Sequence, residues 1–323
     1  MTSGELLSRF HGLRAVVIGD LMLDEYIFGR AARISPEAPV MVIRQTSTDR
    51  LPGGAANVAR NLRALGAETK VLGVIGCDDA GEFLRQSLLD QGLDALHLVT
   101  DASRPTTRKT RIVADHSHQV LRIDHEAEST VDDAVEKRMI DAAVEMSSQA
   151  DVVVLSDYLK GALTSALAAA VVKTCKAKDV PVVVNPKPRS LPMYEGAALV
   201  SLNRSEAADV LSLWKGLPDD EAMAAANQIR SNHNFSSVLV TLGESGMIAV
   251  GSSEVRVAAP RVEVYDTAGA GDTVIATVAL GMASVGFHQA VFELAAQTSA
   301  SVVKHVGVAT PSEEDLARMR EGA

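Results

Sequence analysis

Residues 266–272 read DTAGAGD and run straight into the apolar stretch TVIATVALGMA. The glycines allow a turn whose backbone N–H groups converge at the start of a helix expected over 270–285. Such a turn, Gly269, Ala270 and Gly271, makes an anion hole where developing negative charge is stabilised. Asp272 falls on the first helical turn and faces the same space. A carboxylate beside an anion hole can take a proton from a substrate hydroxyl. Asp266 and the loop carbonyls leave room for a monovalent cation. On local grounds alone, Asp272 could equally be a helix cap.

Four further stretches have chemistry-bearing spacing. In GGAANVARNL (53–62), Gly53 and Gly54 open a helix and Asn57 lies on its first turns, so a polar ligand can approach the backbone closely. In NPKP (185–188), Lys187 stands at a strand end, where a lysine can neutralise phosphate. In NRSE (203–206), Asn203, Arg204, Ser205 and Glu206 pass from a strand into a helix. Glu206 is a candidate magnesium ligand, directly or through water, and equally a partner in a capping box with Asn203. In TLGESG (241–246), Thr241, Gly243 and Gly246 suit a nucleotide's phosphates or ribose, and also a plain strand-to-strand turn.

These residues need a scaffold, and the β-branched runs supply one. Segments 14–20, 69–76, 151–157, 181–186, 197–203 and 236–243 read as buried parallel strands. Helical patterns over 55–65, 79–91, 132–148, 162–177 and 220–232 separate most of them. This alternation implies an α/β fold with a doubly wound, mainly parallel sheet. In such sheets ligands bind beyond the carboxyl ends of the strands. Asp20, Asp157, Asn185, Asn203 and Thr241 stand at those ends. Residues 26–46 and 106–124 alternate instead, as antiparallel strands would. They are expected to form a small β-sheet lid inserted into a single domain spanning 1–323, with Val40, Val42, Ile112 and Val120 on its apolar face.

Composition narrows the class. The chain has 323 residues, 47% of them hydrophobic and only 3% aromatic, enough for a large aliphatic core. A net charge of −10 argues against nucleic-acid or anionic-membrane partners. Two cysteines, Cys77 and Cys175, make neither a disulfide framework nor a zinc site, and both are expected to be reduced and partly buried. No signal-peptide pattern and no membrane-length apolar run occurs, so a cytoplasmic protein is expected. The first strand leads into GDLMLD rather than G-x-G-x-x-G, which disfavours a dinucleotide oxidoreductase. There is no Walker loop.

Taken in order, GGAANVARNLRALG, NRSE, TLGESG and DTAGAGDT resemble the ribokinase-like (PfkB) family of sugar kinases over nearly the whole chain. RISPEAPV (34–40 with its preceding arginine) and SDYLKG (156–161) are similar to the group acting on D-glycero-β-D-manno-heptose 7-phosphate to form the 1,7-bisphosphate for ADP-heptose and lipopolysaccharide core. The sequence departs from that group at NPKP, where DPKG is usual, and at Ser201-Leu202, where Thr-Pro is usual. The resemblance implies ATP, Mg²⁺ and a sugar phosphate as ligands, K⁺ as a candidate activator, and a homodimer through the lid. It makes Asp272 the general base. It puts Gly53, Gly54, Asn57, Asp20 and Asp24 on the sugar, with Asn203 and Glu206 near phosphate and magnesium, and Thr241 and Gly243 on the ATP side. Lys109, Arg111 and Arg122 on the lid are candidates for the acceptor's own phosphate. Some members carry a fused nucleotidyltransferase; with the pattern ending near 323, that activity is expected to be absent. The competing readings are a kinase for another sugar, sugar phosphate or nucleoside, and a non-catalytic sensor, which would be expected to lose the base or the anion-hole glycines.

Overall fold

The computed structural model describes residues 1–115 and 118–321. Among the described residues, fourteen strands appear in chain order: β1 (Arg14–Gly19), β2 (Leu21–Ile34), β3 (Met41–Gly54), β4 (Glu68–Leu72), β5 (Val74–Ile75), β6 (Val99–Thr100), β7 (Thr107–Ala114), β8 (His118–His125), β9 (Val152–Ser156), β10 (Val182–Asn185), β11 (Leu199–Asn203), β12 (Val238–Thr241), β13 (Met247–Val250) and β14 (Glu254–Val257). Eight of them form one sheet in the order β14-β13-β12-β11-β10-β9-β1-β4. All pairings from β12 to β4 are parallel, and β13 and β14 extend the sheet as antiparallel strands.

Successive strand residues serve opposite faces. Val17, Val152, Val154, Val183, Leu199 and Leu239 pack on one side with the helices Ala55–Ala64, Ala270–Val285 and Gln289–Val302. Val16, Val153, Leu155, Val184, Val200 and Val240 pack on the other with Asp133–Ser147, Ser165–Ala177 and Ala222–His233. A strand buried on both faces must be apolar throughout, which is why these runs are continuous rather than alternating. Helix starts follow their caps: the side chains of Asp78, Asp132 and Thr164 accept from backbone N–H groups of the next turn. Thr164 moves the start of one helix from the expected 162 to Ser165.

The expected strand 69–76 is divided at Gly73. β4 stays in the main sheet while β5 turns off to pair with β6. A Cβ at Gly73 would lie 2.7 Å from the Gly19 carbonyl oxygen, so only glycine fits where the chain departs.

The lid is a separate four-stranded sheet, β3-β2-β7-β8. It is longer than expected, because β2 and β3 run down to residues 21 and 54 at the body. Positions 116 and 117 of the expected segment 106–124 lie outside the described residues. The central pairing, β2 with β7, is parallel rather than antiparallel. Both hairpins leave the body with their first strand, so the two first strands run side by side in one direction. Val40 (56% exposed), Leu121 (51%) and Ile123 (51%) stand out on this layer, and Ile112 and Val42 are half-buried. Cys175 is buried as expected, but Cys77 is exposed, since it follows β5 in the turn before the helix Asp79–Asp90. Among the described residues no helix is long and apolar enough to cross a membrane.

Candidate active site

The helix Ala270–Val285 begins where the sequence places it. Its cap, Gly269, has φ +81°, and a Cβ there would sit 2.8 Å from Asn57 Nδ2. The left-handed turn and the close approach both call for glycine. Asp272 is buried at 5% exposure. Its Oδ2 accepts from Asn57 Nδ2 at 2.8 Å and its Oδ1 from the Tyr158 hydroxyl at 2.8 Å. Burial pushes its carboxyl up to about 6, with Asp24 adding repulsion, while Asn57, Tyr158 and Lys187 pull the other way. The result is a carboxylate poised near neutrality, suited to taking a proton and giving it back.

Two cavities meet at this turn. One, about 840 Å³, is lined by Thr241, Gly243, Gly246, Val262, Thr267, Ala270, Gly271, Ala300 and their neighbours. Its size suits a nucleotide. The second, about 140 Å³, is lined by Tyr158, Asn185, Lys187, Asn203, Glu206, Thr241, Gly269, Gly271 and Asp272. Thr241 and Gly271 border both. The glycine turn and Asp272 therefore stand at the junction of a large cleft and a small polar chamber.

Tyr158, which the sequence reading quoted only within SDYLKG, is the centre of the chamber wall. Lys109 Nζ lies 5.5 Å and Lys187 Nζ 5.1 Å from its ring centroid. Two cations thus converge on one ring, one from the lid and one from the end of β10. Burial and the Asp272 charge raise the Tyr158 hydroxyl well above its ordinary range, so it stays a proton donor. The missed signal was a tyrosine directly after a strand-end aspartate, at the sheet's carboxyl edge.

Asp20 and Asp157 hold Tyr158 in place rather than facing the chamber. Asp20 accepts from the backbone N–H groups of Tyr158, Lys160 and Ala162. Asp157 accepts from Leu159 N–H and the Tyr194 hydroxyl. Their oxygens are thus engaged by the segment 158–162 and by Tyr194, and neither residue lines the chamber. Burial nonetheless raises the Asp20 carboxyl.

Asp24, at the lid base, pairs with Arg111, whose guanidinium lies 5.2 Å from the Tyr26 ring centroid. A Cβ on Gly53 would come within 1.9 Å of Asp24 Oδ2, and one on Gly54, at φ +58°, within 2.6 Å of the Asp20 carbonyl oxygen. The glycine pair lets the chain pass closely against the Asp24 carboxylate and the Asp20 main chain. Arg122 does not join them: it lies on outer strand β8, half-exposed, paired with Asp124.

At the start of the helix Arg204–Val210, Asn203 and Glu206 form a reciprocal capping box. Glu206 Oε2 accepts from Asn203 N–H at 2.9 Å and Oε1 takes Lys187 Nζ at 2.6 Å. Both oxygens are occupied, and no cluster of three or more His, Cys, Asp or Glu among the described residues could hold a metal. These residues fit a magnesium ion held by phosphate oxygens and water, with Glu206 acting through water. They do not fit a protein-made cage. Arg204 bonds to the Leu217 and Leu242 carbonyls and to Asp219, and Ser205 is exposed, so neither points at the chamber. Asp266 accepts from Ala268 N–H and Gly307 N–H, tying the glycine turn to the segment after the helix Gln289–Val302.

A sequence profile for the pfkB family carbohydrate kinases matches residues 13–315. The bifunctional protein HldE of Citrifermentans bemidjiense is 42% identical over 278 residues, covering 85% of this chain and 56% of that protein. The bifunctional protein HldE of Caulobacter sp. (strain K31) is 40% identical over 326 aligned positions, covering 99% of this chain and 65% of that protein. The chain thus spans less than two thirds of the length of these relatives. Among solved structures, phosphofructokinase-2 from Escherichia coli in complex with potassium aligns with a TM-score of 0.80 at 20% identity, covering 97% of this chain and 99% of the other. Arabidopsis thaliana ribokinase complexed with ribose and ATP aligns with a TM-score of 0.73 at 20% identity, covering 96% and 99%. These two likenesses concern the fold. With the profile matching residues 13–315, nearly the whole chain, the chain belongs to the pfkB family of carbohydrate kinases.

Proposed function

We propose that this chain transfers the γ-phosphoryl group of ATP to the anomeric hydroxyl of D-glycero-β-D-manno-heptose 7-phosphate, forming the 1,7-bisphosphate used on the route to ADP-heptose. The observation that carries this reading is Asp272, buried and poised near 6, at the junction of a nucleotide-sized cleft and a chamber lined by Lys187 and by Tyr158, over whose ring Lys109 also lies. The heptose assignment draws on relatives named bifunctional protein HldE and on RISPEAPV and SDYLKG.

ATP lies in the large cleft, with its phosphates reaching Thr241, Gly243 and the turn 269–271. The acceptor lies under the lid, between Asp24, Asn57 and Tyr158. Asp272 takes the hydroxyl proton as that oxygen bonds to the γ-phosphorus and the bond to the ADP oxygen breaks. Backbone N–H groups of the turn meet the charge spreading over the transferred oxygens. Lys187 leaves Glu206 to neutralise the same charge. Lys109 and Arg111 serve the acceptor's own phosphate. Glu206 would hold magnesium through water, and the ion would supply further charge neutralisation. The turn held by Asp266 would hold a monovalent cation, if one is bound, which would supply positive charge near the anion hole, as the potassium complex of the Escherichia coli fold relative suggests. The reaction belongs to the cytoplasm, where ATP is available, and the active form is a homodimer through the lid.

The test is ATP consumption across sugars and sugar 5-, 6- and 7-phosphates, with product mapping. The heptose 7-phosphate should be preferred and phosphorylated at C1. Equal kcat/KM for the heptose and its 7-phosphate would reject a phosphorylated acceptor.

A further inference from the structure

The helix Ala55–Ala64 carries an arginine that the reaction above does not use. Arg60 Nη1 donates to Asn57 Oδ1 at 3.2 Å and to the Val308 carbonyl at 3.2 Å, and its Nε donates to Gln91 Oε1 at 2.8 Å. Asn57 is fully buried, and its other end, Nδ2, donates to Asp272 Oδ2. A primary amide has an accepting and a donating end, and turning it over changes its shape little. Here its two neighbours are ions of opposite sign. Turned over, Asn57 would set its oxygen against the Asp272 carboxylate and its NH₂ against the guanidinium. Both contacts would become repulsive at once.

We infer that Arg60 is a positioning residue for catalysis: it holds the Asn57 amide with its N–H on the base, and so keeps Asp272 ionised at working pH. This rests on the reading of Asp272 as general base. The remaining groups facing Asp272 are Asp24 from β2, Tyr158 beyond β9 and Lys187 beyond β10. All three are carried by other elements and stay in place when Arg60 is replaced. Without the arginine, only the charge on Asp272 holds the amide, so a protonated Asp272 lets it turn and accept the new O–H, a contact that Arg60 otherwise opposes. Asp272 then loses a donor that favoured the carboxylate, and its proton affinity rises.

Arg60 has a second contact through which a substitution could act. The Val308 carbonyl adjoins Gly307, whose N–H donates to Asp266, and Val308 Cα would lie 3.4 Å from a Cβ on Gly269. Disturbing that strap would damage the anion hole at every pH. Loss of amide orientation would instead show only where Asp272 is titrating.

The experiment is a double-mutant cycle on kcat against pH, under conditions where chemistry limits turnover, with Arg60→Met, Asn57→Ala and the double variant. Arg60→Met should move the acid limb up by about one pH unit, the scale of one hydrogen bond to a charged group. The rate should then fall about threefold near pH 6.5 and recover by pH 8, with KM for ATP within about twofold of wild type. In the Asn57→Ala background the same substitution should add no further shift. Arg60→Lys, which restores a donor, should bring the limb back toward wild type. A loss equal at all pH values, or a shift that persists without Asn57, would overturn the proposal in favour of the Val308 strap. Arg60→Gln serves if Arg60→Met does not fold. Failure of both to fold assigns Arg60 to stability and rejects the proposal. Asp272→Asn separates the two levels: turnover in that variant removes the base, whereas an inactive Asp272→Asn with an unmoved Arg60→Met limb removes only the positioning role.

Discussion

Asp272 unites the two features a general base needs, a proton affinity near working pH and two fixed donors. Replacing it with Asn removes the proton acceptor but keeps the shape, so kcat should fall about 10²–10⁴-fold while ATP binding by calorimetry stays close to wild type. Retention of more than about half the wild-type kcat, with chemistry rate-limiting, would remove the assignment. Tyr158 allows a finer cut. Tyr158→Phe deletes the hydroxyl that donates to Asp272 and keeps the ring beneath Lys109 and Lys187. Losing a donor to the carboxylate raises its pKa from about 6, so the acid limb of kcat/KM should move to higher pH, by about one unit. Acceptor KM well above the limb should change less than about threefold, because the cation–π contacts survive. A limb that stays in place would show that the hydroxyl does not tune the base.

At the scale of elements, the start of the helix Ala270–Val285 joins two glycines with different duties. Gly269 has a positive φ and no room for a side chain, whereas a Cβ on Gly271 meets nothing within 4 Å. Gly269→Ala should therefore destabilise the fold by about 1–3 kcal/mol, read by urea denaturation, and lower kcat by pushing Asn57 off the base. Gly271→Ala should leave stability unchanged or slightly raised, since alanine favours a helix, and act on ATP turnover because Gly271 borders both cavities. Equal stabilities for the two variants would contradict this division. At Asn203 and Glu206 the capping reading is the one observed: Glu206 closes the box with one oxygen and holds Lys187 with the other.

For the whole molecule, the lid raises the question of what covers it. β3 and β8 are its open edges, and every residue of β8 is exposed, Leu121 and Ile123 included. An apolar layer with open edges tends to pair. Light scattering at micromolar concentration should give about twice the 34.0 kDa chain mass, and Leu121→Glu with Ile123→Glu should return it to one chain and raise acceptor KM. A single-chain mass for the unaltered protein would reject the dimer.

Much of this architecture was legible because it follows from short-range rules. A strand covered on both faces must be a continuous apolar run, so the parallel strands could be read within a residue or two of their ends, except 69–76, which the departure at Gly73 cuts short. The glycine turn and Asp272 are adjacent in sequence, and their helix starts where they place it. The roles that stayed hidden depend on residues far apart in the chain. Asp20 and Asp157 stand at strand ends as ligand residues do, yet only the folding of 158–162 over them shows that they accept from backbone. Tyr158 reaches Asp272 across 114 positions, and Asn57 across 215. Sequence determines which groups are available and which local turn or cap each can make. Which donor meets the base, and which lysines converge on one ring, is decided only when distant segments pack, because a hydrogen bond or an ion pair has a reach of a few ångströms and no memory of chain separation.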